Sequence, residues 1–170
     1  MELKSFIREI PDFPEPGILF RDITPMLQDV GAFASAVDQL RDHFESSDFE
    51  VVVPVDSRGF LFGAPIAYQM GKSLVLVRKP GKLPSDTHST EYTLEYGTNA
   101  MEMHVDSIRP GQRVVILDDL LATGGTLAAT TRLVEKAGGV ITGIGVVIEL
   151  TDLDGRSQLR GYDIFSLVKY

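Results

Sequence analysis

Residues 114–126 read Val-Val-Ile-Leu-Asp-Asp-Leu-Leu-Ala-Thr-Gly-Gly-Thr, and they carry the strongest structural signal in the sequence. Four apolar residues, typical of a strand buried on both faces, run directly into two adjacent carboxylates. A Thr-Gly-Gly-Thr turn follows and opens a helix. In open α/β sheets, ligands bind beyond the carboxyl ends of the strands, which is where this turn falls. The stretch therefore predicts an α/β sheet with a binding site at this strand end.

The turn has the features of a phosphate site. Glycine lets the backbone approach a ligand closely, and the free N–H groups at a helix start favour an anion. Thr123 and Thr126 add hydroxyl donors. Asp118 and Asp119 would repel a phosphate, so we interpret them as acceptors for neighbouring sugar hydroxyls, or as groups near magnesium. A sugar phosphate fits both halves of the motif. The alternative is an ordinary glycine turn after an acidic strand end.

Two similar motifs are incomplete. Gly71-Lys72-Ser73 matches the end of a P-loop, but Ile66 occupies the position of the required upstream glycine. Gly143-Ile144-Gly145 lacks the third glycine of a dinucleotide fingerprint. The histidines, at positions 43, 88 and 104, are scattered, so we expect no histidine metal site and assign no role to His88.

Outward from this stretch, apolar runs alternate with helical patterns. Alternation of this kind predicts one domain with a mainly parallel, twisted sheet flanked by helices. The predicted strands are 51–55, 74–77, 114–117 and 140–150, with an edge strand within 162–168. The predicted helices are 31–46, 59–71 and 126–137.

The remaining segments lack regular periodicity. Residues 1–30 are rich in proline and predict an irregular N-terminal cap, the hood segment, ahead of a core formed by residues 31–170. Residues 78–91 predict a long loop of functional importance. A pair of strands is predicted at 93–96 and 100–104.

Composition narrows the class of ligand. The chain has 170 residues, a net charge of −8 and no cysteine, and neither a membrane span nor a signal peptide is expected, which favours the cytoplasm. The acidic balance disfavours nucleic acid as a partner. Residues 57–85 contain no acidic residue but carry Arg58, Lys72, Arg78, Lys79 and Lys82. A local basic segment of this kind suits a small anion, although a solvated basic face is the alternative.

The stretch 114–126 resembles the phosphoribosyl pyrophosphate (PRPP) binding motif of the type I phosphoribosyltransferases. Further segments resemble the adenine branch of that family and occur in the family's order: 13–25, 56–60, 78–84 and the Leu-Glu-Tyr-Gly of 94–97. The resemblance covers residues 13–149 and implies the type I phosphoribosyltransferase fold with a small N-terminal hood.

The resemblance also implies a role for each matching residue. Asp118 and Asp119 would bind the ribose 2′ and 3′ hydroxyls. The residues that would hold the 5′-phosphate are Ala122, Thr123, Gly124, Gly125 and Thr126. Those that would contact pyrophosphate are Asp56, Ser57, Arg58, Arg78, Lys79 and Lys82. Those that would form the adenine pocket are Leu19, Phe20 and Arg21, with the Phe20 ring stacked on the base. Glu95 would handle a proton, with Tyr96 beside it in the loop.

The implied reaction converts adenine and PRPP to AMP and pyrophosphate, with Arg58, Lys82 and Glu95 as catalytic groups. Mg²⁺ would bind mainly through the substrate, without a dedicated protein site. The family resemblance implies a homodimer. Alternative hypotheses are transfer to a 6-oxopurine, and a regulator that senses PRPP and binds DNA. For Phe20, the alternative is a purely packing role under the hood segment. For Glu95, the alternative is an exposed position on a strand.

Overall fold

A computed structural model describes residues 1–93 and 98–170. The strands are β1 Arg8–Pro11, β2 Leu19–Asp22, β3 Val51–Pro54, β4 Ser73–Leu74, β5 Thr87–Thr93, β6 Thr98–His104, β7 Arg113–Leu121, β8 Val140–Glu149 and β9 Ile164–Lys169. The helices are α1 Thr24–Gln28, α2 Val30–Phe44, α3 Gly59–Met70 and α4 Gly125–Lys136, with 3₁₀ helices at Leu3–Phe6, Thr151–Leu153 and Gly155–Leu159. Over the described ranges, no helix combines the length and the apolar character needed to cross a bilayer.

A five-stranded parallel sheet with the order β4-β3-β7-β8-β9 forms the centre of the molecule. The predicted strands at 51–55, 114–117 and 140–150 are confirmed, and β9 is the predicted edge strand. β3 and β7 are neighbours, with Val51 opposite Val114 and Pro54 opposite Leu117. The loops that follow these two strands therefore leave the sheet side by side.

Helices cover both faces of this sheet, which is why its strands are apolar at successive positions. Val52 and Val115 pack into the core with α2 and α3, whereas Val51 and Val114 pack with α4. Gly143 and Gly145, the incomplete fingerprint of the sequence, lie where β8 meets Phe44 of α2. A Cβ on either glycine would lie within 2.8 Å of the Phe44 ring, so these glycines make room for packing.

The structure corrects the expectation of a second fully buried run at 74–77. Only Ser73–Leu74 pairs as β4, followed by an isolated bridge at Val77. Leu74 and Leu76 are 42% and 36% exposed, while Val75 and Val77 are buried. This alternation arises because β4 is the edge strand, so one face of the segment is left uncovered.

The predicted loop at 78–91 is also shorter than expected. Its last residues form β5, which pairs antiparallel with β6 from Thr87 opposite His104 to Thr93 opposite Thr98. The second strand of the predicted pair is confirmed as β6, whereas the first begins earlier than predicted, and its predicted residues 94–96 lie outside the described residues. β5 is polar on both faces and only partly buried, so it lacks the apolar alternation that identifies a strand.

The hood segment is more regular than its prolines suggest. β1 and β2 form an antiparallel pair with Glu9 opposite Arg21, and Arg8 donates to the Asp22 carboxylate. Pro25 lies in the first turn of α1, a position that needs no N–H donor. Buried side chains of the hood, including Ile23 and Met26, enter the same core as α2. The prediction of an irregular cap was wrong, and the division at residue 30 stays a prediction.

Candidate active site

A cavity of about 250 Å³ lies at the carboxyl ends of β3 and β7. The loop after β3, the end of β7 and the start of α4 form most of its wall, and Lys79 and one residue of β5 complete it. The lining residues are Asp56, Ser57, Arg58, Lys79, Tyr92, Asp118, Asp119, Leu120, Leu121, Ala122, Thr123, Gly124, Gly125, Thr126 and Leu127. The structure thus brings both halves of the 114–126 motif and part of the basic segment to one cavity.

The turn between β7 and α4 depends on the absence of a side chain at Gly124. Gly124 has a φ of +88°, a backbone conformation that residues with a Cβ rarely adopt. A Cβ at this position would also overlap the carbonyl oxygen of Gly155, which packs against the turn from behind. Because α4 begins at Gly125, the N–H groups of its first turn are free to bind an anion.

The two carboxylates lie within β7, whereas the sequence predicted them beyond the strand end. β7 continues through Leu121, and Asp118 and Asp119 are only 8% and 7% exposed. The Asp119 N–H donates to Asp118 Oδ1 at 2.8 Å. Burial, together with the neighbouring Asp119 charge, raises the pKa of Asp118 well above its usual value. The pair therefore combines one acid that resists ionisation with one that is held by a cation.

Arg58 is that cation. Its Nε donates to Asp119 Oδ2 at 2.5 Å. Burial lowers the pKa of Arg58, but the charge of Asp119 and this hydrogen bond outweigh burial, and the net shift is upward. A glycine follows at position 59 because a Cβ there would lie 2.7 Å from the Leu117 carbonyl oxygen. This close approach brings the start of α3 against β7 and Arg58 against the acids.

The rest of the basic segment reaches the cavity in part. Lys79 lines it, while Arg78 lies just outside and its Nε contacts Asp56 Oδ2 at 3.3 Å. The Lys79 N–H donates to the same carboxylate oxygen at 3.3 Å. Lys82 belongs to the loop beyond and is absent from the described lining. Asp56 therefore anchors the start of this loop at the cavity rim.

The predicted adenine-pocket residues divide between two sides of the hood. The Phe20 ring lies 5.9 Å from the Arg58 guanidinium and packs edge-on against Phe13 at 5.1 Å. Arg21 instead lies over the Tyr170 ring at 3.7 Å, and Leu19 and Arg21 line a separate cavity of about 440 Å³. Phe20 thus faces Arg58 while Leu19 and Arg21 face the separate cavity, because neighbouring strand residues point to opposite faces. Glu95 and Tyr96 lie outside the described residues.

Several contributors were not predicted from the sequence, and they include Leu121 and Leu127 of the lining. Tyr92 lines the cavity, and its hydroxyl accepts a hydrogen bond from Thr126 Oγ1 at 3.1 Å. Leu120 adds an apolar wall beside the acids. Gly155 packs behind Gly124. A tyrosine in a polar strand and a glycine far along the chain carry no local signal, whereas Leu120 could have been inferred from its place between the acids and the turn.

Groups that could hold a metal are few. Over residues 1–93 and 98–170, no cluster of three or more histidine or acidic side chains has the arrangement of a metal site. Asp118 and Asp119 supply oxygen donors of the type that Mg²⁺ prefers, but two carboxylates leave most of its coordination to other ligands. The residues therefore fit an ion that arrives with an oxygen-rich substrate.

Comparison with known proteins agrees with this geometry. The phosphoribosyl transferase domain family matches residues 20–167. The adenine phosphoribosyltransferase of Thermoanaerobacter sp. (strain X514) is 56% identical over 99% of this chain and 98% of its own length. The crystal structure of the enzyme of that name from Thermoanaerobacter pseudethanolicus superposes with a TM-score of 0.97 at 55% identity, covering 99% of this chain and 98% of that one. The Saccharomyces cerevisiae enzyme, crystallised with adenine and an imino-altritol bisphosphate, gives a TM-score of 0.92 at 38% identity, covering 98% and 97%.

Proposed function

This chain belongs to the phosphoribosyltransferase family and, within it, to the adenine phosphoribosyltransferases, and from that premise we propose that it converts adenine and PRPP to AMP and pyrophosphate. The observation that carries the proposal is the cavity itself. Asp118 and Asp119 lead into a helix-opening glycine turn, Arg58 is bonded to Asp119, and Lys79 lines the same cavity. That arrangement matches the substrate, in which a ribose separates a terminal phosphate from a diphosphate.

In this proposal, the sugar phosphate occupies the β7 end of the cavity. The residues 122–126 bind the 5′-phosphate through the free amides of the α4 start and through the threonine hydroxyls. Asp118 and Asp119 accept hydrogen bonds from the ribose hydroxyls. Arg58 Nε donates to Asp119 Oδ2. Arg58 therefore exchanges partners when the diphosphate of PRPP arrives and frees Asp119 for the sugar.

The chemistry requires no protein nucleophile. A ring nitrogen of adenine bonds to the anomeric carbon, the bond from that carbon to the diphosphate oxygen breaks, and the nitrogen loses its proton. Negative charge grows on the leaving diphosphate, and Arg58, Lys79, Arg78 and Lys82 stabilise it, with the Asp56-Ser57 backbone completing the pyrophosphate site. Holding the base and the sugar in line removes much of the entropic cost of the encounter. Loop residues including Lys82 close over the diphosphate and exclude water.

Mg²⁺ fits this site as a companion of PRPP. Asp118 and Asp119 would be the carboxylates that hold it, directly or through water. Bound to the diphosphate, the ion would neutralise part of the charge on the leaving group. Turnover measured with and without EDTA tests this requirement.

The hood supplies the base site. The Phe20 ring stacks on adenine, and the backbone of Leu19 and Arg21 reads its edge. The Arg21 side chain is engaged by Tyr170 and by Glu9, so the contribution of Arg21 comes from its main chain. Glu95, with Tyr96 beside it, receives the proton that adenine loses. Replacing Glu95 by Gln tests this role through the pH dependence of kcat.

Turnover of adenine, hypoxanthine, guanine and xanthine with PRPP and Mg²⁺ tests the assignment. We expect adenine alone to be converted efficiently, and a preference for a 6-oxopurine would overturn the proposal. Arg58→Ala and Lys82→Ala should each lower kcat by roughly 10²-fold, the scale of a lost transition-state donor. Lys72→Ala is the matched control, because Lys72 belongs to the same basic segment but lies beyond the far end of α3, over the Phe49 ring.

We propose further that two copies associate through the outer face of α3. That face carries apolar residues at helical spacing, namely Leu61, Ala64, Pro65 and Tyr68. Leu61 is 42% exposed and Tyr68 is 88% exposed. A helix that is apolar all round is normally buried on all sides. A homodimer would cover this face.

We also propose that the enzyme works in the cytoplasm, which cell fractionation tests.

A further inference from the structure

The back of the phosphate turn is held by a segment remote in sequence. The short 3₁₀ helix Gly155–Leu159 begins directly behind residues 122–124. Gly155 is buried there, and a Cβ on it would overlap the Ala122 carbonyl oxygen and lie 2.7 Å from Leu121 Cδ1. Backbone therefore packs on backbone, and a shift of Gly155 would be transmitted to the turn without an intervening side chain.

An ion pair fixes this segment. Arg156 Nε donates to Glu149 Oε1 at 2.6 Å, and its Nη2 donates to Glu149 Oε2 at 2.8 Å. The same Nη2 donates to the Ile164 carbonyl oxygen at 3.2 Å. This two-point geometry is specific to a guanidinium, because a lysine ammonium acts as a single point charge. Arg156 directly follows Gly155, and its side chain links this position to both β8 and β9.

Glu149 is itself part of the framework that ends β7. It is the last residue of β8, 4% exposed, and it lies opposite Leu121 in the sheet register. Ser166 of β9 donates to Glu149 Oε2 at 2.6 Å. The hydrogen bonds from Arg156, opposed by burial and aided by Ser166, lower the pKa of Glu149 to about 2, so the pair stays charged throughout the neutral range. One carboxylate therefore ties the strand beside the turn to the segment behind it.

We propose that Glu149, Arg156 and Gly155 are positioning residues that fix the amide groups of residues 122–126 for the 5′-phosphate. This role rests on the proposed function of that turn. None of the three residues lines the cavity, so they act through the turn and not on the substrate. The purely structural alternative is that the pair only stabilises the packing of β8 against β9, in which case ligand affinity would not depend on it in the folded protein.

Binding of ribose 5-phosphate and of inorganic pyrophosphate, measured by calorimetry, separates these roles. The variants are Arg156→Lys, the double variant Glu149→Gln with Arg156→Gln, which leaves no unpaired buried charge, and Gly155→Ala. We expect the double variant and Gly155→Ala to weaken ribose 5-phosphate binding about tenfold, because small displacements of a binding group cost roughly this much or more. Arg156→Lys should lose less. Arg160→Gln, an exposed arginine in the same segment, should match the wild type.

Steady-state kinetics provides the second readout. KM for PRPP should rise in these variants, while KM for adenine and the affinity for pyrophosphate stay within twofold of the wild type. Folded variants that bind ribose 5-phosphate as tightly as the wild type would overturn the inference, whatever their thermal stability. Failure of the proposed function has a different signature: the wild type would not convert adenine with PRPP, even where the variants lose affinity for ribose 5-phosphate.

Discussion

Gly124 shows how much one missing Cβ determines at the residue scale. Two separate constraints require glycine here: the φ of +88° and the close contact with Gly155. Gly111 also has a positive φ but makes no such contact. Gly111 has a φ of +84°, and nothing lies within 4 Å of the position a Cβ would take. The two glycines therefore form a matched pair in which backbone conformation is shared and crowding is not.

Gly111→Ala should lower the free energy of unfolding by about 1–2 kcal/mol, the cost of a left-handed conformation for a residue with a Cβ. Gly124→Ala should lower it by more, since its Cβ also meets the Gly155 carbonyl, and should abolish most ribose 5-phosphate binding. Urea denaturation and calorimetry measure the two effects. Equal destabilisation of both variants, with affinity retained at Gly124, would contradict the packing of the turn on Gly155.

Asp118 illustrates a conflict between stability and binding. Burial and the Asp119 charge raise its pKa above the value in the unfolded chain. The folded state therefore holds this proton more tightly, and that contribution to stability is present below pH 4 and is lost as the pH rises through the folded pKa. Asparagine keeps the acceptor for the Asp119 N–H but cannot ionise.

Asp118→Asn should match the wild type in stability near pH 4 and exceed it at pH 8. Each unit by which the pKa of Asp118 is raised corresponds to about 1.4 kcal/mol. The same variant should lose turnover, because Asp118 is one of the two residues that we propose bind the ribose hydroxyls. Asp106→Asn, at an exposed turn, controls for removal of one negative charge. A stability difference that does not vary between pH 4 and pH 8 would show that the Asp118 proton is not held by folding.

At the scale of elements, α3 approaches the sheet through its glycines. A Cβ on Gly63 would lie 2.5 Å from Pro54 Cβ and 2.9 Å from Pro54 Cγ. Glycine at Gly63 is therefore a packing requirement inside a helix, where alanine is otherwise favoured. Gly31, in the first turn of α2, has no neighbour closer than 3.3 Å to a Cβ and offers the contrast.

Gly63→Ala should destabilise the protein by about 1–3 kcal/mol, the range for overpacking. Gly31→Ala should be neutral or stabilising by up to about 1 kcal/mol, through helix propensity. Opposite signs in urea denaturation are the expected result. A stabilised Gly63→Ala variant would mean that α3 can move away from β3 without cost, and Arg58 at its start would then be poorly fixed.

Among the strands, the sequence predicted β3, which is buried throughout, and misplaced β5, which is only partly buried. The strand Val51–Pro54 is buried at every position, so its continuous apolar run is enough to predict it. β5 is half-exposed and polar, and its pairing with β6 compensates for a weak local pattern. Within the site, the 114–126 motif was predictable because adjacent residues form it. Tyr92 and Gly155 reach the same turn from distant parts of the chain, and only the packing of elements brings them there.

At the scale of the whole molecule, the topology of the sheet brings basic and acidic side chains together at the cavity. The chain carries a net charge of −8, yet Arg58 and Lys79 converge on the cavity because both follow strands on the same side of the sheet. Asp56, Asp118 and Asp119 face them there. The acidic side chains hold the basic ones in place until an anion displaces them. A cleft lined only by basic side chains would instead attract any polyanion.

The outer face of α3 gives the last test, at the level of assembly. Tyr68→Glu places a charge on the apolar face, where a second copy would bury it at a cost of several kcal/mol. Sedimentation should therefore show the wild type as a dimer and Tyr68→Glu as a monomer. Val30→Glu is the control, because Val30 is 85% exposed, nearly as much as Tyr68, but belongs to α2. A monomeric wild type, or a dimer unchanged by Tyr68→Glu, would place the subunit contact elsewhere or remove it.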